Sequence, residues 1–182
     1  MPSTLYSHLN DCLRLGANEE SSFVAFQFYY ALTILIKFAA YKKDNDYVRY
    51  LAEKQAHINA TMHNLCWDND RFIRGYTQTG EKIGAAKDPE ANLWLNPQSW
   101  AVISGLATAE QASIALSNVR ERLNTDYGVL LMDPPYHRHA FSGALAVIYN
   151  QGTKENAGIF SQSQGWLILA EALCGHGERA FS

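Results

Sequence analysis

Apolar residues crowd the stretch from Ser22 to Lys43 so densely that no polar face remains. A helix that is apolar nearly all round is expected to be buried on most sides. The span from Ser21 to Tyr41 is also long enough to cross a bilayer. Gln27, Thr33 and Lys37 interrupt it and tyrosines recur inside it, which favours a core helix over a membrane span. Asn45-Asp46 can cap a second helix, whose apolar positions Val48, Leu51, Ala52, Ile58, Met62 and Leu65 keep helical spacing. The short link between the two predicts an antiparallel hairpin.

The pattern then changes. Phe72 to Tyr76 reads as a short strand, and Gly80 and Gly84 mark turns. Asn96-Pro97 predicts a helix start, with proline at the first helical position, and this short third helix stops near Gly105. Thr108-Ala-Glu-Gln111 is a capping box for a fourth helix lined by Ala112, Ala115, Leu116, Val119 and Leu123. From Asn124 to Gln164 no helical period is sustained, and a connection this long in a compact domain is usually functional. Trp166 to Leu173 is a further helix stopped at Gly175, and Glu178 to Phe181 begins another. The first twenty residues are irregular, and no internal sequence repeat is visible. The expected class is all-α: helical hairpins with long loops on one side and minor short strands.

Composition narrows the functions. The chain is 47% hydrophobic and 18% charged, enough to build a core. A net charge of −3 gives no footprint for nucleic acid or an anionic membrane. Cys12, Cys66 and Cys174 are odd in number and widely spaced, as reduced thiols of a cytoplasmic protein would be. Met1-Pro-Ser-Thr lacks the basic and apolar regions of a signal peptide. The tryptophans Trp67, Trp94, Trp100 and Trp166 suit a core more readily than a sugar platform. His137-Arg138-His139 invites a metal, but no third ligand has suitable spacing, so a polar loop is the expected reading and no metal is assigned. There is no nucleophile elbow and no phosphate-cradling or dinucleotide glycine motif.

The most informative stretch runs from Gly152 to Trp166, Gly-Thr-Lys-Glu-Asn-Ala-Gly-Ile-Phe-Ser-Gln-Ser-Gln-Gly-Trp. It packs a cation, a carboxylate and several amide and hydroxyl groups between glycines, just ahead of an apolar helix. Lys154 can serve phosphate or sugar hydroxyls, and Glu155 can accept two hydroxyl hydrogen bonds. For the tripeptide alone a solvated turn is the simpler reading. Three further stretches stand out: Asn92 to Gly105, Trp67-Asp68 followed by Phe72-Ile-Arg-Gly-Tyr76, and Asn10-Asp11 ahead of Cys-Leu-Arg-Leu-Gly16.

Together these stretches resemble the inverting disaccharide phosphorylases, the cellobiose and chitobiose phosphorylase family known as glycoside hydrolase family 94. That family has a Lys-Glu-Asn-(Ala/Gly)-Gly-Ile-Phe loop and a Leu-Asn-(Pro/Thr)-Gln-(Ser/Thr)-Trp-Ala-Val-(Ile/Leu)-Ser-Gly run. Tyr127-Gly128 and Asp133-Pro-Pro-Tyr136 also have family counterparts. The chain departs at Asn69, where the family has glycine, at Arg71, where it has tryptophan, and at His8-Leu9, where it has Asp-Trp. Gln162 stands where the family carries a phosphate-binding histidine.

The resemblance covers the chain from about Asn10 onward. It implies that residues 1–182 are a single partial domain, the C-terminal portion of an (α/α)6 barrel, with the N-terminal β-sandwich and first barrel half outside this sequence. It implies glycosyltransferase-type chemistry, the inverting phosphorolysis of a β-linked, cellobiose- or cellobionate-like disaccharide to a sugar 1-phosphate. Asp11 takes the general-acid role, and Lys154, Glu155, Asn156, Gln162 and Gln164 bind sugar and phosphate. Gln98 and Trp100 are expected to be structural. Inorganic phosphate is a co-substrate, with no other cofactor. A homodimer or a complementing polypeptide would supply missing parts. The alternatives are an inactive truncated chain, a non-catalytic subunit, or a carbohydrate-binding helical domain without turnover.

Overall fold

A computed structural model of the chain describes residues 20–77, 79–137 and 149–181. The fold is helical with few short strands. In chain order the elements are β1 (Glu20–Ser21), α1 (Ser22–Tyr41), α2 (Asn45–Leu65), β2 (Trp67–Asp68), β3 (Arg71–Phe72), β4 (Gly75–Tyr76), β5 (Lys82–Ile83), β6 (Leu93–Trp94), α3 (Leu95–Ile103), α4 (Ala109–Arg122), β7 (Asn124–Thr125), β8 (Gly128–Val129), β9 (Met132–Asp133), α5 (Ser161–Leu173) and α6 (Gly177–Phe181).

Local chemistry explains most helix boundaries. Ser21 caps α1, its Oγ accepting the Val24 N–H at 3.4 Å. Asp44, one residue ahead of the expected Asn45-Asp46, caps α2 by accepting the Tyr47 N–H at 3.0 Å. The capping box of α4 is present, with the Thr108 and Gln111 bonds both at 3.1 Å. The start of α3 differs from expectation. Its cap is Trp94, without a side-chain bond, so Asn96 and Pro97 sit inside the first turn. Proline is tolerated there because the first N–H groups of a helix have no partner to lose.

Helix α1 packs on α2 and α3, and α3 packs on α4 and α5. Phe26, Leu32 and Ala39 of α1 join Leu51, Ile58 and Met62 of α2 in one core, and a second core lies between α3, α4 and α5. The expected burial of α1 on most sides is not met. Phe28, Leu35 and Phe38 are 45%, 41% and 63% exposed, because α2 and α3 cover the opposite side of the helix. By length and composition alone α1 could also cross a membrane.

The structure contains a repeat that the sequence hides. After α2, the Ile73 N–H donates to Cys66 O at 2.9 Å, closing the β2–β3 hairpin. After α4, the Leu130 N–H donates to Leu123 O at 2.9 Å, closing the β7–β8 hairpin. The next residue in each unit also corresponds. Arg74 donates to Ile83 O and accepts the Ser22 N–H that starts α1; Leu131 donates to Gly158 O and accepts the Leu95 N–H that starts α3. Then β4 pairs with β1, and β9 pairs with β6, both antiparallel.

Side-chain amides lock these units together. Gln98, fourth residue of α3, accepts the Phe72 N–H at 2.8 Å and donates to Phe72 O at 2.8 Å. Gln164, fourth residue of α5, accepts the Val129 N–H at 2.8 Å and donates to Val129 O at 2.9 Å. Each glutamine imitates a strand neighbour, satisfying both backbone groups of one hairpin residue. Sequence hides the repeat because, apart from these glutamines, side chains at the equivalent hairpin positions differ, while the backbone bonds there do not depend on them.

Candidate functional site

The N-termini of α1, α3 and α5 lie at one end of the molecule, and the loops collect there. The Arg74 guanidinium sits 5.8 Å from the Phe23 ring at the start of α1 and 5.2 Å from the Trp94 ring that caps α3. Ser163 in the first turn of α5 donates to Asn96 Oδ1 in the first turn of α3 at 3.1 Å. An aromatic cluster joins the three helices behind this end: Trp100 lies 6.2 Å from Phe23, 6.1 Å from Tyr30 and 5.6 Å from Trp166. Gln98 bonds to Phe72, and Trp100 packs in this cluster.

The loop before α5 is built by its own backbone. Gly152 N–H donates to Asn156 O at 2.8 Å, Asn156 N–H to Thr153 O at 3.0 Å, and Gly158 N–H to Lys154 O at 2.9 Å. Lys154 and Ala157 take positive φ values of 47° and 65°. A Cβ at Gly158 would lie 2.4 Å from Lys154 O, so the turn requires glycine. The loop is tied down by Leu131 N–H, which donates to Gly158 O at 2.9 Å.

Asn156 fastens it further. The side chain is 1% exposed. It accepts the Tyr136 N–H at 2.7 Å and donates to Tyr136 O at 3.0 Å and Tyr149 O at 2.9 Å. This repeats the glutamine clasp in a loop. Both donors of the amide reach backbone carbonyls, so Asn156 fastens the loop. Gln164 is in the same position, its second donor reaching Phe160 O at 3.2 Å.

Two side chains of the loop remain available. Lys154 is exposed, with Nζ 4.9 Å from the centre of the Tyr149 ring. Glu155 is half-buried, and its Oε2 is enclosed without a hydrogen-bond partner among the described residues. A buried carboxylate oxygen left unsatisfied is costly unless a donor arrives, and sugar hydroxyls are donors. Gln162 is exposed on the first turn of α5. The N-terminus of this 13-residue helix has no side-chain cap, and such ends favour anions. Asp11 and His139 lie outside the described residues.

The departures Asn69 and Arg71 are accommodated locally. Asn69 adopts φ 58°, a left-handed conformation that asparagine tolerates better than most residues. Arg71 forms a two-pronged pair with Asp70, at 2.7 and 3.1 Å, and donates to Asn92 O and Oδ1 at 2.9 Å. Arg122 reaches the same Asn92 Oδ1 at 2.8 Å and pairs with Asp133 at 2.6 Å. Arg71 holds the Asp70 carboxyl below its usual range, outweighing partial burial. Burial would raise the carboxyl of Asp68, but the Ala86 N–H and Lys82 bring it below normal.

Two buried groups lie in stretches that carry the resemblance, Phe72-Ile-Arg-Gly-Tyr76 and Asp133-Pro-Pro-Tyr136. Arg74 is 1% exposed; burial pushes its ionisation down to about 9, which still leaves it charged at neutral pH. Tyr136, 4% exposed, has its hydroxyl pushed well up by burial, with Arg74 opposing. Their burial could not be foreseen, because nothing in local spacing distinguishes a buried arginine or tyrosine from a surface one. Among the described residues no group of three or more histidine, cysteine, aspartate or glutamate side chains could hold a metal ion.

Compared with known families, residues 1–182 match the catalytic domain of the glycosyl hydrolase 94 superfamily. The chain is 35% identical to N,N'-diacetylchitobiose phosphorylase of Vibrio proteolyticus, over 94% of this chain and 22% of that protein. It is 31% identical to solabiose phosphorylase of Paenibacillus borealis, over 91% of this chain and 22% of that protein. It is 31% identical to cellobionic acid phosphorylase of Neurospora crassa, over 74% of this chain and 17% of that protein. The chain spans about a fifth of the length of these relatives.

Proposed function

Since the chain belongs to the glycosyl hydrolase 94 superfamily, we propose that it forms part of the catalytic domain of an inverting disaccharide phosphorylase. The observation that carries this reading is the loop before α5. It is rigidly clasped, yet it keeps the Glu155 carboxylate enclosed with one oxygen unsatisfied and the Lys154 ammonium exposed. Glu155 accepts from sugar hydroxyls. Lys154, Gln162 and the N-terminus of α5 take the phosphate. Asn156 and Gln164 belong to the site as the residues that hold it. Asp11 is the general acid.

The reaction follows from these roles. Asp11 donates its proton to the glycosidic oxygen as the bond from that oxygen to the anomeric carbon breaks, while positive charge develops on the ring. A phosphate oxygen attacks the anomeric carbon from the opposite face. The products are a sugar 1-phosphate of inverted configuration and the released sugar. A hydrolase needs a second carboxylate to activate water; phosphate is itself the nucleophile here, so one carboxylate and an anion pocket suffice. Catalysis rests on positioning and on electrostatic stabilisation. The substrate is a β-linked disaccharide of the cellobiose or cellobionate kind.

The row of α1, α3 and α5, backed by α2, α4 and α6, forms part of an (α/α)6 barrel in this reading. A second copy or a complementing polypeptide supplies the rest, in the cytoplasm. A second reading, sugar binding without turnover, is favoured by one observation: the exposed Gln162 stands where the resemblance calls for a charged-capable histidine. The test is phosphorolysis by the purified chain and by any longer polypeptide that contains it. Asp11→Asn is expected to cut the rate by several orders of magnitude. An unchanged rate rules out the assignment of the acid, and sugar binding with no product establishes the second reading.

A further inference from the structure

The internal repeat aligns the three inner helices, α1, α3 and α5, position by position. Their fourth residues are Ala25, Gln98 and Gln164, and the two glutamines clasp the hairpin of the preceding unit. The seventh residues face the preceding unit. Ala101 of α3 is buried in the core of α1 and α2, and Leu167 of α5 is buried in the core of α3 and α4. In α1 the seventh residue is Phe28, and it is 45% exposed. The eighth and ninth residues of α3, Val102 and Ile103, are buried in the core shared with α5. In α5 these positions are Ile168 and Leu169, 49% and 46% exposed.

The two exposed faces are therefore the two halves of the joint that already holds successive units together. The head half is a groove of about 480 Å³ between α1 and α2, with Phe28, Leu35, Tyr47 and Tyr50 around it and the buried Leu51 and Ile58 at its floor. The tail half presents Ile168, Leu169 and Leu173 of α5. Apolar patches of this kind mark association surfaces. Among the described residues, the surface that matches the head groove is the tail of the same chain, because the same helix positions meet in the joints within it. Ala25 stands where α3 and α5 have their clasping glutamines, so the head joint is made by packing alone and suits two separately folded chains.

We propose that the α1–α2 face of one copy receives the α5–α6 face of a second copy, head to tail. Two copies related by a twofold axis make this joint twice and leave neither face uncovered. The joint rests on the repeat; its closure at two copies rests on the barrel reading, in which three units are half a ring. Sedimentation velocity and light scattering compare wild type, Phe28→Lys and Leu169→Lys, with Leu35→Lys as a second head variant. Circular dichroism checks that each is folded, as expected for exposed positions. Wild type is expected at twice the 20.4 kDa mass of one chain. Each variant alone associates about a hundredfold more weakly, or less. An equimolar mixture of Phe28→Lys and Leu169→Lys regains the two-copy mass, because the tail of the first meets the head of the second at one intact joint. Wild type that stays a single copy up to about 100 μM overturns the proposal; if it then floats with phosphatidylcholine vesicles, the face of α1 belongs to a membrane surface instead. A Leu169→Lys chain that still pairs overturns it in favour of a head-to-head contact, and a mixture that does not pair overturns it outright. A ladder of larger assemblies that all three variants abolish supports the joint and counts against the barrel reading.

Discussion

Replacing Asn156 by Asp changes one group of atoms in the clasp that holds the candidate site. The side chain is 1% exposed and donates to Tyr136 O at 3.0 Å and Tyr149 O at 2.9 Å. A carboxylate cannot donate, so both carbonyls lose their partner and face negative charge. Each unsatisfied buried group costs about 1–3 kcal/mol, which puts the pair at roughly 3 kcal/mol above pH 7. For a chain of this size that corresponds to a melting temperature lower by roughly 6–12 °C. Burial and the two carbonyl oxygens raise the folded pKa of the new carboxyl above its unfolded value near ~3.9. A raised folded pKa means stability is retained below the unfolded pKa and lost as pH rises through the folded one. At pH 5 the protonated acid regains one donor, and the cost falls to about 1 kcal/mol. Urea unfolding of wild type, Asn156→Asp and Asn156→Ala at pH 5 and pH 8 measures this directly. The alanine variant controls for lost bonds without charge, and its deficit should not depend on pH. An Asn156→Asp deficit that is equal at the two pH values would refute the reasoning.

Three other outcomes follow from the same geometry. Gln98→Leu should cost about 3 kcal/mol and Gln164→Leu about 1 kcal/mol in thermal unfolding, because unmet groups are costlier in the drier clasp; Phe72 is 1% exposed against 8% for Val129, and equal losses would contradict the burial argument. Gly158→Ala should break the turn around Lys154, since the new Cβ would meet Lys154 O at 2.4 Å, and sugar binding by calorimetry should be lost while far-ultraviolet dichroism is kept. Burial pushes the Cys66 thiol up to about 11 from 9.0, so stability present below pH 9 should drain away between pH 9 and 11, and mass mapping should find Cys66 unalkylated in the native chain at pH 8.

Helical period located α2 and α4, whose apolar positions keep to one face, while α5 begins at Ser161, ahead of the expected Trp166, because its first turn is polar. The capping box at Thr108 and Gln111 was legible for the same local reason. Long-range bonds were not. Nothing in the run Leu-Asn-Pro-Gln says that Gln98 will clasp Phe72, twenty-six residues earlier in sequence. The bonds of Asn156 to Tyr136 and of Gln164 to Val129 are equally invisible in the sequence. Lys154 and Glu155 stood out because charged residues between glycines have a poor structural explanation. The burial of Arg74 was not legible, although its stretch carries the resemblance, because local spacing does not report burial. The exposed face of α1 shows the reverse limit: an apolar helix need not be covered by the chain that carries it.

The central claim is that phosphate, and not water, attacks the anomeric carbon. The most direct measurement is proton and phosphorus NMR of a cellobiose or cellobionate reaction containing the chain, or a longer polypeptide that includes it, and inorganic phosphate. The account predicts a sugar 1-phosphate that accumulates with axial, inverted configuration and depends on Glu155. Free sugar without phosphate ester, or an ester that retains the β configuration, would contradict it.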